Sequence, residues 1–124
     1  MNHGGLTVLV VDDYADTRGL IRALLEMKGC RVLEAANGRE AVDIAALTPF
    51  SFILMDLEMP VLNGFDAARE ILSRQETSAV PIIAFSANCG GDRRARAFAA
   101  GCAECYQKPV DFTIIDELVV RYAP

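Results

Sequence analysis

The sequence predicts an α/β fold, with an open, doubly wound parallel sheet of five strands and five helices. Short apolar runs alternate five times with segments in which apolar residues recur at helical spacing. Strict alternation of this kind is typical of a parallel sheet that is covered by helices on both faces. The chain has 124 residues, of which 52% are hydrophobic and 23% charged, so it fits one globular domain and is not disordered.

The predicted strands are continuous apolar runs rich in β-branched residues, as expected for strands that are buried on both faces. In chain order they cover 6–11, 31–35, 52–55, 81–85 and a short stretch within 102–107. The first, third, fourth and fifth runs each end at a polar or charged residue.

The predicted helices follow the strands and cover about 17–28, 40–47, 65–74, 93–100 and 112–122. Asp16 or Thr17 is expected to cap the first helix and Asp111 the last, because short oxygen-bearing side chains accept hydrogen bonds from the free N–H groups at a helix start. We expect Ala46 of the second helix and Phe112 of the fifth to face the core, since each falls among apolar neighbours at helical spacing.

Charge and hydropathy exclude several classes of function. A net charge of −5 disfavours direct binding to nucleic acid. No apolar run approaches the roughly 18 residues of a membrane span, and the start of the chain lacks the basic residues of a secretory signal. We therefore expect a cytoplasmic protein with no membrane contact.

The four cysteines are expected to be reduced, buried thiols rather than ligands or redox groups. They are Cys30, Cys89, Cys102 and Cys105. A zinc site needs a second pair of ligands, and the single histidine, His3, lies in a terminus that we expect to fray.

Polar side chains stand where four of the five strands end. Asp12 and Asp13 end the first strand, Asp56 the third, Ser86 the fourth and Lys108 the fifth. Ligands of open parallel sheets bind outside the carboxyl ends of the strands. In the sheet order 2-1-3-4-5 the first and third strands are neighbours about 5 Å apart, so the three acids should share one pocket.

These residue types predict a metal-assisted phosphoryl site. Three adjacent carboxylates repel one another unless a cation joins them, and oxygen ligands favour Mg²⁺. Ser86 and Lys108 can bind an anion beside the metal, and a carboxylate can act as the nucleophile. A cis bond between Lys108 and Pro109 would turn the lysine back over the strand ends, which is a hypothesis at this point. Taken singly, each residue could instead be a helix cap, a turn former or a surface lysine.

Five short motifs occur in the order and spacing of a known family. They are Val10-Val11-Asp12-Asp13, Met55 to Gly64, Phe85-Ser86-Ala87-Asn88, Ala100-Gly101 and Lys108-Pro109. Together they resemble the response-regulator receiver domain of two-component signalling, over about residues 6–122. The resemblance implies a flavodoxin-like sheet in the order 2-1-3-4-5, and one receiver domain over 1–124 with no output domain.

The resemblance also implies roles for the candidate residues. Asp56 would be the phosphoacceptor, taking a phosphoryl group from the phosphohistidine of a sensor histidine kinase or of a histidine phosphotransfer domain. Asp13, Asp56 and the backbone carbonyl of Glu58 would ligate Mg²⁺, and Asp12 would help directly or through water.

Ser86 and Lys108 would each bind a phosphoryl oxygen. The domain would be a regulator rather than an enzyme, although the family slowly hydrolyses its own acyl phosphate. Phosphorylation would bias the face formed by the fourth helix, the fifth strand and the fifth helix toward a downstream protein target that the resemblance does not identify. The chain would act alone or as one module of a hybrid kinase or longer regulator.

One departure from the family concerns the fifth strand. The family commonly has Tyr or Phe three residues before the lysine, where this chain has Cys105. Tyr106 lies one residue later and therefore points to the opposite face of the strand. We expect Cys105 to occupy the switch position, and the three arginines of the fourth helix, Arg93, Arg94 and Arg96, to form a solvated face.

Two other classes of function stay open at this point. An interaction module could keep the fold without being phosphorylated, although it would not need to keep the acids, the serine and the lysine together. A flavin-binding protein could share the fold, but it would need a phosphate loop after the first strand, where Asp12 and Asp13 instead repel phosphate unless a metal intervenes.

Overall fold

The computed structural model describes residues 5–123 and contains one parallel sheet in the order β2-β1-β3-β4-β5. The strands are β1 Thr7–Val11, β2 Arg31–Ala35, β3 Phe52–Asp56, β4 Ile82–Ser86 and β5 Glu104–Gln107. This confirms the predicted fold class and strand order. The terminus with His3, which was expected to fray, lies outside the described residues.

The register of the sheet aligns the carboxyl ends of its central strands. Val11 of β1 pairs with Met55 of β3, so the acids that follow β1 lie beside the end of β3. Asp56 pairs with Phe85 of β4, and Ser86 is the residue that follows Phe85. The end of β4 therefore lies beside Asp56.

Five α-helices connect and flank the strands. They are α1 Ala15–Met27, α2 Gly38–Leu47, α3 Gly64–Ser73, α4 Gly91–Ala99 and α5 Phe112–Arg121, and a 3₁₀ turn covers Gln75–Thr77. Asp111 caps α5 by accepting a hydrogen bond from the N–H of Thr113, as predicted. The prediction for α1 was wrong, because Tyr14 is its N-cap and makes no side-chain cap bond. Asp12 instead accepts from the N–H of Tyr14 at 2.8 Å, which turns the chain so that the helix starts two residues earlier than predicted.

The core consists of two apolar layers, one on each face of the sheet. Alternate residues of the central strands point to opposite layers, as the twofold side-chain period of a strand requires. Leu9 and Ile53 face α2, α3 and α4, whereas Val10 and Leu54 face α1 and α5. Since β3 and β4 are buried along their whole length, the site at their ends is held on rigid strands.

Two residues predicted to face the core are exposed instead. Ala46 lies on the solvent side of α2, because Ala41, Val42 and Ala45 already form its buried stripe. Phe112 is 52% exposed because it begins α5 at the rim of a groove beside α1.

Helix α4 has one buried residue, Ala97, and its arginines make further contacts. Arg94 donates to the backbone carbonyl of Cys105 at 2.8 Å, and the Arg96 guanidinium lies 4.0 Å from the centroid of the Phe65 ring. The predicted solvated face is confirmed for Arg94 and Arg96, which are exposed, whereas Arg93 is half-buried. In the described part of the chain, no helix has the length and apolar character that crossing a membrane requires.

Candidate functional site

Three carboxylates meet at the carboxyl ends of β1 and β3, as the sequence predicts. Asp12 and Asp56 are each only 3% exposed, whereas Asp13 is exposed. One carboxylate oxygen from each residue lies within 4.8 Å of the other two. A set of hard oxygen donors this close together is suited to a divalent cation such as Mg²⁺.

Lys108 joins the two buried acids. Its Nζ lies 3.1 Å from Asp12 Oδ2 and 3.2 Å from Asp56 Oδ2. Its backbone N–H donates to the carbonyl of Ser86 at 2.8 Å, which anchors the residue just beyond β5. The Lys108–Pro109 peptide bond is cis, in agreement with the hypothesis from the sequence.

Burial gives Asp56 an unusual affinity for protons. Burial raises the pKa of Asp56 to about 6, and the nearby charge of Asp12 adds to this, while Lys108 and the Glu58 N–H act in the opposite direction. Burial alone would lower the pKa of Lys108, but Asp56 and Asp12 outweigh it and the pKa is raised. The negative charge of Asp56 is therefore only partly compensated by Lys108, and a bound cation would stabilise the ionised carboxylate.

A second cluster surrounds the side chain of Glu58. The fully buried Ser86 places its Oγ 3.0 Å from both carboxylate oxygens of Glu58. The N–H of Ala87 donates to Glu58 Oε1 at 2.9 Å. Arg93 contacts Glu58 Oε2 through Nη2 at 2.6 Å and Ser86 Oγ through Nε at 3.2 Å. Burial opposes ionisation of Glu58, but the bonds from Ala87, Arg93 and Ser86 lower its pKa overall.

Sequence reasoning missed this second cluster. It gave Glu58 a backbone carbonyl ligand and placed Arg93 in a solvated face, and it predicted no contact between the two side chains. The two residues are 35 positions apart in the chain, so the pattern of either segment alone does not indicate their contact. The available signal was the position of Glu58, two residues after Asp56 and therefore at the same strand end.

The loop between β3 and α3 is packed closely against Asp56. A Cβ on Gly64 would contact the backbone oxygen of Asp56 and lie 2.7 Å from the Leu57 Cα, which is too close for any side chain. Within this loop the Glu58 N–H donates to Asp56 Oδ1 at 3.1 Å. Asn63 then caps α3 by accepting from the N–H of Asp66. The backbone thus fixes the orientation of the Asp56 carboxylate.

A groove of about 840 Å³ opens next to the acids. It runs between α1 and the segment after β5, and its polar end includes Asp56, Glu58 and Lys108. Its apolar end includes the half-exposed side chains of Leu20 and Phe112. A partner that reached Asp56 through this groove would contact a partly apolar surface.

Cysteine and tyrosine on β5 lie on opposite faces, as predicted. Cys105 belongs to the layer that contains α4, whereas Tyr106 packs on the other layer, with its ring centroid 5.9 Å from that of Phe85. All four cysteines are buried and free, and burial raises the pKa of Cys102 to about 11. The Cys102 thiol is therefore a poor nucleophile at neutral pH.

The order of the strands and the acids, serine and lysine at their ends define a class of signalling domain. The chain belongs to the response regulator receiver domain family, whose family model matches residues 8–120. Members of this family are phosphoacceptor domains of two-component phosphorelay signalling.

Three relatives illustrate the lengths of the proteins in which similar chains occur. The chain is 36% identical over 104 residues to the protein PilH of Pseudomonas aeruginosa, covering 84% of this chain and 86% of PilH. It is 33% identical over 119 residues to the signal transduction histidine-protein kinase BarA of Escherichia coli strain K12. That match covers 96% of this chain but only 13% of BarA, and the match to the sensor kinase LuxN of Vibrio campbellii covers 10% of LuxN.

Solved structures agree with the fold and with the type of site. The receiver domain of the sensor histidine kinase PA1611 from Pseudomonas aeruginosa has a TM-score of 0.88 at 33% identity, covering 95% of this chain and 97% of that one. That structure has a magnesium ion coordinated in its active-site cleft. The receiver domain of Saccharomyces cerevisiae Ssk1, solved with the phosphotransfer protein Ypd1, has a TM-score of 0.86 at 26% identity, covering 95% and 89%.

Proposed function

We propose that Asp56 accepts a phosphoryl group from a phosphohistidine of a sensor histidine kinase or a histidine phosphotransfer domain. The observation that carries this proposal is a buried carboxylate at the end of β3, beside Lys108 and two further acids, with its pKa raised to about 6. One oxygen of Asp56 attacks the phosphorus, the phosphorus–nitrogen bond breaks, and the departing imidazole takes up a proton. The product is an acyl phosphate on Asp56.

The donor set fits Mg²⁺, which prefers one or two carboxylates together with other oxygen ligands. Asp13, Asp56 and the backbone carbonyl of Glu58 would hold the ion, and Asp12 would help directly or through water. The ion would supply positive charge against the oxygens of the transferred group.

Ser86 and Lys108 stabilise the phosphorylated form. The Ser86 hydroxyl donates to one phosphoryl oxygen, and the Lys108 ammonium pairs with another. This requires Lys108 to share its charge between Asp12 and the phosphoryl group, which is supported by its position between Asp12 and Asp56. Slow hydrolysis by a water molecule in line with the phosphorus returns the domain to its resting state.

The switch surface comprises α4, β5 and α5. Because Cys105 faces α4 where the family commonly has an aromatic ring, we expect no ring to rotate on activation. Shifts of the loop 87–91, with glycines at 90 and 91, would transmit the change instead. Structures with and without beryllofluoride test this, and movement of Tyr106 against α4 would contradict it.

We further propose that residues 1–124 form one receiver domain, working alone or as a module of a longer regulator or hybrid kinase in the cytoplasm. Its downstream target would be a protein, since the net charge of −5 disfavours nucleic acid.

Phosphorylation with a small donor tests the central proposal. The protein is incubated with Mg²⁺ and acetyl phosphate, and its intact mass is measured. We expect one added phosphoryl group in the unmodified protein and in Asp16→Asn, a control that removes an exposed acid from the first turn of α1. We expect none in Asp56→Asn. An equal mass gain in Asp56→Asn would overturn the assignment.

A further inference from the structure

The carboxylate of Glu58 is bound as an anion would be. Three donors converge on it, namely the Ser86 hydroxyl, the Ala87 N–H and the Arg93 guanidinium, at 2.6–3.0 Å. Glu58 and Ala87 line the same groove as Asp56. The donors therefore form an anion-binding position next to the phosphoacceptor, and a side chain of the same loop occupies it.

We propose that Glu58 occupies part of the phosphoryl site in the unphosphorylated protein, and that a phosphoryl group on Asp56 displaces it and takes over Ser86, Ala87 and Arg93 as donors. This inference rests on the proposed function of Asp56, and it adds Arg93 to the phosphoryl-binding residues. It also makes Glu58 an internal competitor of phosphorylation.

Hydrogen-bond capacity makes the two anions mutually exclusive. A serine hydroxyl and a backbone N–H each have one proton to donate. The Ala87 N–H is directed at Glu58, whereas the one Ser86 proton lies within reach of both Glu58 and the Asn88 carbonyl, which is 2.9 Å from Ser86 Oγ. A phosphoryl oxygen can therefore take the Ala87 N–H only when Glu58 leaves it, and it can reach the Ser86 hydroxyl only when the Glu58 carboxylate no longer covers that group.

Charge favours the same exchange. Four carboxylates and two cations surround the site: Asp12, Asp13, Asp56 and Glu58 against Lys108 and Arg93. The two charges of a bound Mg²⁺ would balance these side chains, and a phosphoryl group then adds further negative charge, so retaining Glu58 beside it is unfavourable. The side chains of Glu58 and Arg93 are 39% and 32% exposed, so Glu58 can turn into water without disturbing the core. Arg93 is then free to pair with the new anion.

Arg93 also connects the site to the proposed switch surface. It lies near the start of α4, a helix with one buried residue, Ala97. A change in the partner of Arg93 therefore acts on a weakly anchored helix. Arg93 is also the α4 side chain that bonds directly to Ser86, with its Nε 3.2 Å from Ser86 Oγ.

Beryllofluoride affinity tests the displacement. Beryllofluoride is titrated into the Mg²⁺-loaded protein, and its binding is followed by NMR through the amide resonance of Ala87. We expect Glu58→Ala to bind about tenfold tighter than the unmodified protein, because no competing side chain has to leave. Asp16→Asn, which removes the same charge from an exposed position on α1, should change the affinity by less than twofold.

A double-mutant cycle separates displacement from a simple effect of charge. Arg93→Ala should weaken beryllofluoride binding about tenfold in the Glu58→Ala background. When Glu58 is present, Arg93→Ala should have a smaller effect on beryllofluoride affinity. The same substitution then also removes a bond that holds the competing Glu58 carboxylate in place. Arg96→Ala, which removes an arginine stacked on Phe65, is the matched control and should have little effect. Equal effects of Arg93→Ala in both backgrounds, or no tightening in Glu58→Ala, would overturn the proposal. Arg93→Lys replaces Arg93→Ala if the latter does not fold, and should retain part of the affinity.

Inorganic phosphate distinguishes failure of this inference from failure of the proposed function. Without any covalent chemistry, millimolar phosphate should shift the Ala87 amide and the Arg93 Nε–H resonances in Glu58→Ala, and much less in the unmodified protein. If those shifts appear but Asp56 is never phosphorylated, the occluded anion position stands and the function of Asp56 is wrong. If Asp56 is phosphorylated normally but Glu58→Ala changes neither affinity nor phosphate shifts, the function stands and the competitor role of Glu58 is wrong.

Discussion

Replacing Asp56 by Asn should stabilise the metal-free protein at neutral pH. The Asp56 side chain is buried, and its pKa is raised from an ordinary 3.8 to about 6. The native state therefore binds the Asp56 proton more tightly than the unfolded state does. The stabilising effect of this proton is fully present below pH ~3.8 and is lost as the pH rises through about 6. Above that pH the folded protein holds a charged carboxylate at a site that favours the neutral form.

The pKa difference sets the size of the effect. A rise from 3.8 to about 6 corresponds to roughly 3 kcal/mol, at about 1.36 kcal/mol for each tenfold change. We therefore expect Asp56→Asn to be more stable than the unmodified protein by up to about 3 kcal/mol at pH 7.5. The same relation predicts that the free energies of unfolding of Asp56→Asn and the unmodified protein differ by only about 1 kcal/mol at pH 4.5.

Urea denaturation followed by circular dichroism, in EDTA, measures the gap across this pH range. With an m value of roughly 2 kcal/mol/M, the midpoint of Asp56→Asn should be higher by about 1.5 M at pH 7.5. Adding Mg²⁺ should reduce this difference in stability, because a metal that binds the unmodified protein stabilises it, whereas the variant lacks one of the proposed ligands. Asp16→Asn is the matched control and should show little change at any of these pH values.

Two results would refute this reasoning. If Asp56→Asn were less stable than the unmodified protein at pH 7.5 in EDTA, the attraction between Lys108 and Asp56 would outweigh the burial of the charge. If the gap did not change between pH 4.5 and 7.5, titration of Asp56 would not be its cause.

Three further perturbations test the site. Asp13→Ala should weaken Mg²⁺ binding more than Asp12→Ala, since Asp13 is exposed whereas Asp12 is already engaged by Lys108; calorimetric titration that gives equal affinities would contradict the ligand assignment. Lys108→Ala should lose roughly 1–3 kcal/mol of unfolding free energy in EDTA, because it leaves two buried carboxylates without their cation, and unchanged stability would contradict this. Gly64→Ala should be strongly destabilised by contact with the preceding loop, whereas Gly19→Ala, with open space around its Cβ, should be stabilised by about 0.5–1 kcal/mol; thermal unfolding of the pair compares them directly.

The position of the acids was predictable because it depends on two rules that apply to any sheet of this type. Apolar β-branched runs identify the strands, and parallel strands bring their carboxyl ends to one edge. Asp12, Asp13 and Asp56 could therefore be placed together once the strand order was known, and the structure brings their oxygens within 4.8 Å. Most helix starts and ends that were predicted from periodicity differ from those in the structure by one or two residues.

Local pattern failed where tertiary contacts compete with it. The start of α1 is determined by Asp12, which lies in the loop and bonds to the Tyr14 N–H, so the expected caps Asp16 and Thr17 fall inside the helix. Phe112 has the spacing of a core residue, but it lies at the first position of α5, beyond the end of the apolar layer.

The sequence by itself determined the fold class and the set of polar residues at the strand ends. Its resemblance to the receiver family supplied the strand order. Only the tertiary structure revealed that Glu58 and Arg93 meet over Ser86, across 35 residues of chain. The physical reason is the range of the forces involved. Hydrophobic periodicity arises from neighbours within one helix or strand, whereas the partner of a charged side chain depends on which loops the packed sheet brings within hydrogen-bond distance.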